Sequence, residues 1–106
     1  MKFMISQPMA GKTIEQIRDE RKEAIRLLEA RGHTVIDSVF TEPAQEPIDN
    51  VGLWYLAHSL VVMAACDGVL FMPGWEEARG CRIEYEAADA YGLVTLFMSD
   101  LMGEEK

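Results

Sequence analysis

The sequence predicts a single Rossmann-like, flavodoxin-like α/β domain over residues 1–106, built in three layers with helices on both faces of a parallel sheet of about four strands. Three observations carry this prediction. Short β-rich runs alternate with longer segments of helical periodicity, and right-handed crossovers turn such a chain into a parallel sheet covered on both sides. A length of 106 residues leaves room for one core and no second domain. An apolar content of 49% with 26% charged residues suits that core.

Each element follows from local sequence. Lys2 to Ser6 reads as a buried strand, and Gln7 to Lys12 as a turn before a helix that opens at Thr13, where Thr13 and Gln16 have capping-box spacing. Ile14, Ile17, Ala24, Ile25 and Leu28 share one side of that helix, Arg and Glu occupy the solvated side, and Gly32 stops it after a basic last turn. His33 to Asp37 is β-branched at its centre and suits a second strand, whereas Thr41 to Asn50, with Pro43 and Pro47, reads as a surface loop. Leu53 to Ala65 is apolar around much of its circumference, a helix expected to pack on the sheet and on another element or subunit, with Trp54 or Tyr55 toward a partner chain. Gly68 to Met72 forms a third strand, Pro73 to Gly80 a loop, and Cys81 to Tyr91 a helix with Ile83, Ala87, Ala90 and Tyr91 at helical spacing, ended by Gly92. Leu93 to Met98 makes the fourth strand, and Gly103 to Lys106 a frayed tail.

Charge and cysteine usage narrow the partners. Eighteen acidic against ten basic residues give a net charge of −8, which opposes attraction to a phosphate backbone or an anionic membrane, so neither nucleic acid nor membrane is expected as a partner. Cys66 and Cys81 are too few for a disulfide framework and lack zinc-site spacing, so free thiols, no metal and a reducing, cytoplasmic compartment are expected. The apolar start, Met1 to Ser6, is broken by Gln7, Pro8 and Gly11 before any signal or spanning segment forms.

Ligands of open parallel sheets gather outside the carboxyl ends of the strands. Two segments qualify: Ser6 to Thr13, and Pro73 to Gly80 with the helix that follows, and adjacency of strands one and three would bring them together. Gly11-Lys12-Thr13 invites comparison with a phosphate-cradling P-loop, with Asp37 in the place of a magnesium-holding carboxylate, although Ser6 stands where that motif has Gly. A turn leading into a capped helix explains the same residues without a ligand. Glu84 lies about one turn into its helix, near Arg79 and Arg82, where the helix dipole and the guanidinium groups would keep a carboxylate nucleophile ionised. An acidic residue in a first helical turn also serves simply to stabilise the helix. Cys81 is a rival nucleophile at a helix amino end, or a small thiol packing the loop on the sheet. His58, on an apolar helix, and Asp67, before its strand, read as structural, and Glu86 as solvated.

The residues then resemble the nucleoside 2-deoxyribosyltransferase-like superfamily, especially its short members from phages and bacteria, over nearly the whole chain. Met4-Ile5-Ser6-Gln7-Pro8-Met9-Ala10-Gly11 is similar to that family's first strand and loop. Cys66-Asp67-Gly68-Val69 with Pro73-Gly74-Trp75-Glu76 and Arg79-Gly80 is similar to a later strand and loop. Gly80, Glu84, Ala88 and Gly92 match the signature Gly-x-x-x-Glu-x-x-x-Ala-x-x-x-Gly. The resemblance implies cleavage or transfer at the N-glycosidic bond of a deoxynucleoside or its 5′-monophosphate, without a cofactor, with Glu84 as nucleophile. It also implies a substrate site of Ser6, Gln7, Pro8, Met9, Gly11, Lys12, Gly74, Trp75, Glu76, Arg79 and Gly80, where Ser6 to Lys12 would hold the sugar or a phosphate. Trp75 would stack on the base or simply cover the loop. By the same analogy the molecule would be a homodimer or higher homo-oligomer. Two positions depart from the pattern: Met4 stands where the family often carries Tyr, and His58-Ser59-Leu60 stands where many members place an Asp. Asp37, Asp49, Glu77 or a group from a second subunit are the candidates for the missing acid. A pocket that binds a nucleotide without chemistry is the alternative these departures leave open.

Overall fold

The computed structural model describes residues 1–39 and 48–104. β1 (Lys2–Ser6), β2 (Thr34–Val35), β3 (Gly68–Phe71) and β4 (Val94–Phe97) are joined through α1 (Ile14–Ala30), α2 (Val51–Met63), a 3-10 turn (Trp75–Glu77) and α3 (Arg79–Ala90), with α4 (Met98–Glu104) last. The strands are all parallel in the order β2-β1-β3-β4, with Phe3 opposite Gly68 and Gly68 opposite Val94. This is the α/β domain that the alternation of strands and helices predicts.

Alternation along the central strands sorts the core onto two faces. Phe3, Ile5, Leu70 and Met72 pack with Ala24, Leu27 and Leu28 of α1 and with Met98 and Leu101 of α4. Met4, Val69 and Phe71 pack on the opposite face with Met63 of α2 and Ala88 of α3, supported by Trp75, Tyr85 and Phe97. Each large side chain so buried contributes about 1.5–3 kcal/mol relative to exposure, which is why the pleat of β1 and β3 fixes the layers. Caps fix the helices. Thr13 accepts from the Gln16 N–H while Gln16 accepts from the Thr13 N–H, completing the expected capping box. Gly32 and Gly92 close α1 and α3 with positive φ, and the next residues donate back to Leu28 and Ala88, the Schellman arrangement that a side chain would strain.

The differences from expectation have physical causes. β2 is shorter than His33 to Asp37, because it lies at the sheet edge and pairs only with β1. The inward side of α1 is Ile17, Arg21, Ala24, Leu27 and Leu28; Ile14 is exposed, Ile25 half-buried, and the basic residue at its end is the cap, Arg31, rather than part of the last turn. α3 begins two residues before Cys81 and buries Cys81, Glu84 and Ala88, leaving Ile83, Ala90 and Tyr91 exposed. Met98, expected to end the fourth strand, instead begins α4, which runs to Glu104 into the tail expected to fray, because Met98 and Leu101 find places against α1. On α2 the rings of Trp54, Tyr55 and His58 are half-buried against one another, and Val51, Leu53 and Val61 are its exposed large apolar residues. Most of the loop expected over Thr41 to Asn50 lies outside the described residues, as do the last two residues of the tail.

Candidate functional site

The strand order reverses between β1 and β3: α1 leaves β1 on one face, whereas α2 and α3 cover the other. A crevice opens at such a switch point, beyond the carboxyl ends of the two strands. Here it is a cleft of about 640 Å3 lined by the loop after β1, the start of α2 and the start of α3.

Its floor is a polar network that begins with the last residues of β1. Gln7 is buried; its Nε2 donates to the Ile17 carbonyl at 3.1 Å and to Glu20 at 3.2 Å, and its Oε1 accepts from Arg21 Nε at 2.8 Å. Arg21, only 4% exposed, also donates through Nη2 to the Ile5 carbonyl at 3.1 Å and to Ser38 Oγ at 3.3 Å, and its Nη1 stands 3.9 Å from Asp37 Oδ1. A guanidinium survives burial only with such partners, and here they are backbone and neutral side chains, with one exposed carboxylate nearby.

From the other face comes Glu84 of α3, 7% exposed and lining the cleft. The Ser6 hydroxyl donates to its Oε1 at 3.4 Å, while Oε2, buried, has no hydrogen-bond partner among the described residues. Burial pushes the Glu84 carboxyl up to about 7, against the opposing pull of the Ser6 hydroxyl and the Arg21 guanidinium. The ionised state expected from Arg79, Arg82 and the helix dipole is thereby corrected: desolvation dominates, Arg79 and Arg82 are exposed, and the cation acting on Glu84 is Arg21.

A family model described as a domain of unknown function, DUF4406, matches residues 1–97, a span that holds the sheet and every residue of the cleft. The chain belongs to the DUF4406 family. No curated protein and no solved structure matches it.

In this DUF4406 domain the residues singled out by sequence divide into two groups. Gln7, Pro8, Met9, Arg79, Gly80 and Glu84 line the cleft, and Ser6 holds Glu84 from behind. Gly11, Lys12, Gly74, Trp75 and Glu76 do not line it. Lys12 pairs with Glu20 at 2.9 Å, and that ammonium holds the Glu20 carboxyl below its usual range. Trp75 packs on Phe71, Tyr85 and Phe97 at centroid distances of 5.3, 4.9 and 5.6 Å, against the sheet and α3 and outside the cleft lining. Cys81 lines the cleft but is buried, and burial pushes its thiol up, away from the thiolate a nucleophile needs.

Among the acid candidates Glu77 lines the cleft, Asp37 lies beside Arg18 and Arg21, and Asp49 is exposed and does not line it, although its neighbour Asn50 does. Asp67 accepts from the Lys2 N–H at 2.7 Å at the opposite end of the sheet. Among the described residues no three His, Cys, Asp or Glu side chains assemble to hold a metal ion, and no helix is long and apolar enough to cross a membrane. Arg21 and Ser38 on the floor, and Asn50, Tyr55 and Ser59 along α2, are polar lining groups that reading the sequence did not place in the site. Arg21 carried a signal all the same: it falls four residues after Ile17 and three before Ala24, on the apolar stripe of α1.

Proposed function

We propose that this domain cleaves or transfers at the N-glycosidic bond of a deoxynucleoside or deoxynucleoside 5′-monophosphate, with Glu84 as the nucleophile. The observation that carries the reading is Glu84 itself: a buried residue that lines the cleft, and whose Oε2 has no hydrogen-bond partner among the described residues. An orphaned buried acceptor costs about 1–3 kcal/mol, and a site that tolerates the cost is one where a ligand completes the set. The resemblance in sequence around Gly80, Glu84, Ala88 and Gly92 supports the same chemistry.

In the reaction, Glu84 attacks the anomeric carbon as the bond to the base nitrogen breaks and its electron pair leaves with the base. Positive charge develops on the sugar, which favours the ionised carboxylate. Water or a second base then attacks the same carbon and releases Glu84. Ser6 fixes the rotamer of the nucleophile from Oε1, a task for which Met4, packed in the core, has no hydroxyl.

The test is chromatography of free base after incubation with a panel of deoxynucleosides and their 5′-monophosphates. Release by the wild type should fall by at least about 100-fold in folded Glu84→Gln, the loss typical of removing a reacting group. Release that survives in the variant, or none from any substrate, would overturn the assignment. A second reading, binding without turnover, draws on Met4 and on Glu77 as the only other carboxylate among the described lining residues. Saturable nucleoside binding with no base released would favour it.

A further inference from the structure

We propose that Arg21 receives the departing base, donating from Nη1 to a carbonyl oxygen next to the glycosidic nitrogen, so that the substrates are pyrimidine deoxynucleosides. This rests on the glycosyl reading of Glu84 and supplies what that reading lacks, a group for the leaving side of the reaction.

Geometry makes Arg21 an unusual member of the floor. Of its three guanidinium nitrogens, Nε and Nη2 are committed to Gln7, Ile5 and Ser38, whereas Nη1 has no hydrogen bond among the described residues. The nearest anion, Asp37 Oδ1 at 3.9 Å, belongs to a side chain 60% exposed. Adjacent residues of β1 hold the two reactive groups: the Ile5 carbonyl anchors Arg21 from the α1 face and the Ser6 hydroxyl anchors Glu84 from the α3 face. Both residues line one cleft, and among the described residues Arg21 Nη1 and Glu84 Oε2 are each without a hydrogen bond. The ligand that fits offers an electrophilic carbon to Glu84 and an acceptor oxygen to Arg21.

The chemistry balances with water alone. Glu84 Oε2 bonds to the anomeric carbon; the carbon–nitrogen bond breaks, and its electron pair passes into the base and delocalises onto the conjugated carbonyl oxygen. The buried positive charge of Arg21 stabilises that anion, which afterwards takes a proton from water, so no carboxylic acid is required on the leaving side. A single nitrogen without a hydrogen bond among the described residues selects one oxygen. A phosphate is recognised by a two-pronged guanidinium, and here the second prong is occupied. A pyrimidine has a carbonyl beside its glycosidic nitrogen, whereas adenine has none.

The experiment compares 2′-deoxyuridine, 5-fluoro-2′-deoxyuridine and 2′-deoxyadenosine as substrates of wild type, Arg21→Met, Arg21→Lys and Glu84→Gln, with uracil binding measured by calorimetry in parallel. Wild type should release pyrimidines in preference to adenine. Arg21→Met should lose about 100-fold or more in kcat/KM on 2′-deoxyuridine, the usual consequence of deleting a charge-stabilising donor. The loss should be clearly smaller on the 5-fluoro substrate, whose base is the better leaving group. Equal losses on all substrates, or no loss on 2′-deoxyuridine, would reduce Arg21 to a structural residue while leaving the Glu84 assignment intact. If Arg21→Met fails to fold, Arg21→Lys decides by the same unequal or equal losses. If wild type releases no base, the glycosyl reading falls, and binding decides alone: uracil affinity lower by about 10-fold or more in the Arg21 variants supports the base contact, and unchanged affinity overturns it.

Discussion

Glu84 is a carboxyl group that burial carries from an ordinary value of 4.5 to about 7, and a shift of that size has consequences for stability as well as chemistry. Between those two values the folded protein holds a proton that the unfolded chain has already released. Stability from this group is therefore fully present below pH 4.5, declines as pH rises, and is lost by about pH 7; at 1.36 kcal/mol per unit the total is roughly 3 kcal/mol. Glu84→Gln removes the titration while keeping the shape, so in urea denaturation it should gain on wild type progressively from pH 5 to pH 8. A difference that stays constant with pH would mean the carboxyl is not held protonated. On the proposed chemistry the activity has the opposite slope: kcat/KM should rise with pH and level off above about 7, because the proposed attacking species is the carboxylate. That Glu84 lines the cleft followed from its place at the start of the helix after β3, and the resemblance around Gly80, Ala88 and Gly92 pointed to the same residue, but its protonation was not legible, since proximity in sequence to Arg79 and Arg82 says nothing about burial. Arg21 stayed hidden for a related reason: one charged residue on an apolar stripe reads as tolerance, and only the carbonyl of Ile5 and the side chains of Gln7 and Ser38, brought in by tertiary folding, give it partners.

At the scale of elements, the parts with strong local signals formed as their sequence suggests. The Thr13 cap, the stops at Gly32 and Gly92 and the β-rich runs need only neighbouring residues to be recognised. The parts that depend on distant packing were harder to read. α4 exists because Met98 and Leu101 reach α1, and β2 is short because one edge of it is unpaired. Gly68 shows how tightly the central elements meet. A Cβ there would strike the Phe3 ring and stand 2.7 Å from the Val94 carbonyl, backbone that cannot withdraw without breaking the β3 to β4 ladder. Gly68→Ala should therefore destabilise the fold by about 1–3 kcal/mol, the range for overpacking, and lower the melting temperature by several degrees. A thermal melt identical to wild type would show that Phe3 repacks freely and that the register at the start of β3 is looser than the contact distances imply.

Charge is distributed unevenly over the whole molecule, and the distribution bears on which substrates reach the cleft. Residues 12–31 hold six of the ten basic residues, Lys12, Arg18, Arg21, Lys22, Arg26 and Arg31, against five acids, Glu15, Asp19, Glu20, Glu23 and Glu29. The remaining four bases and thirteen acids leave the rest of the chain at −9. The cleft lining itself carries little net charge, Arg21 and Arg79 against Glu77 and a Glu84 only partly ionised at neutral pH, so the long-range field of the surface governs approach. That field repels a dianionic 5′-monophosphate and ignores a neutral nucleoside. Raising ionic strength from about 0.01 M to about 0.1 M shortens the screening length from about 30 Å to about 10 Å, enough to shield the surface but not a contact inside the cleft. For the monophosphate, kcat/KM should accordingly climb several-fold across that range, while the value for the deoxynucleoside stays level. A monophosphate rate that falls with salt would reverse the conclusion, because attraction would then outweigh repulsion and the steering would come from Arg21 and Arg79 at the cleft.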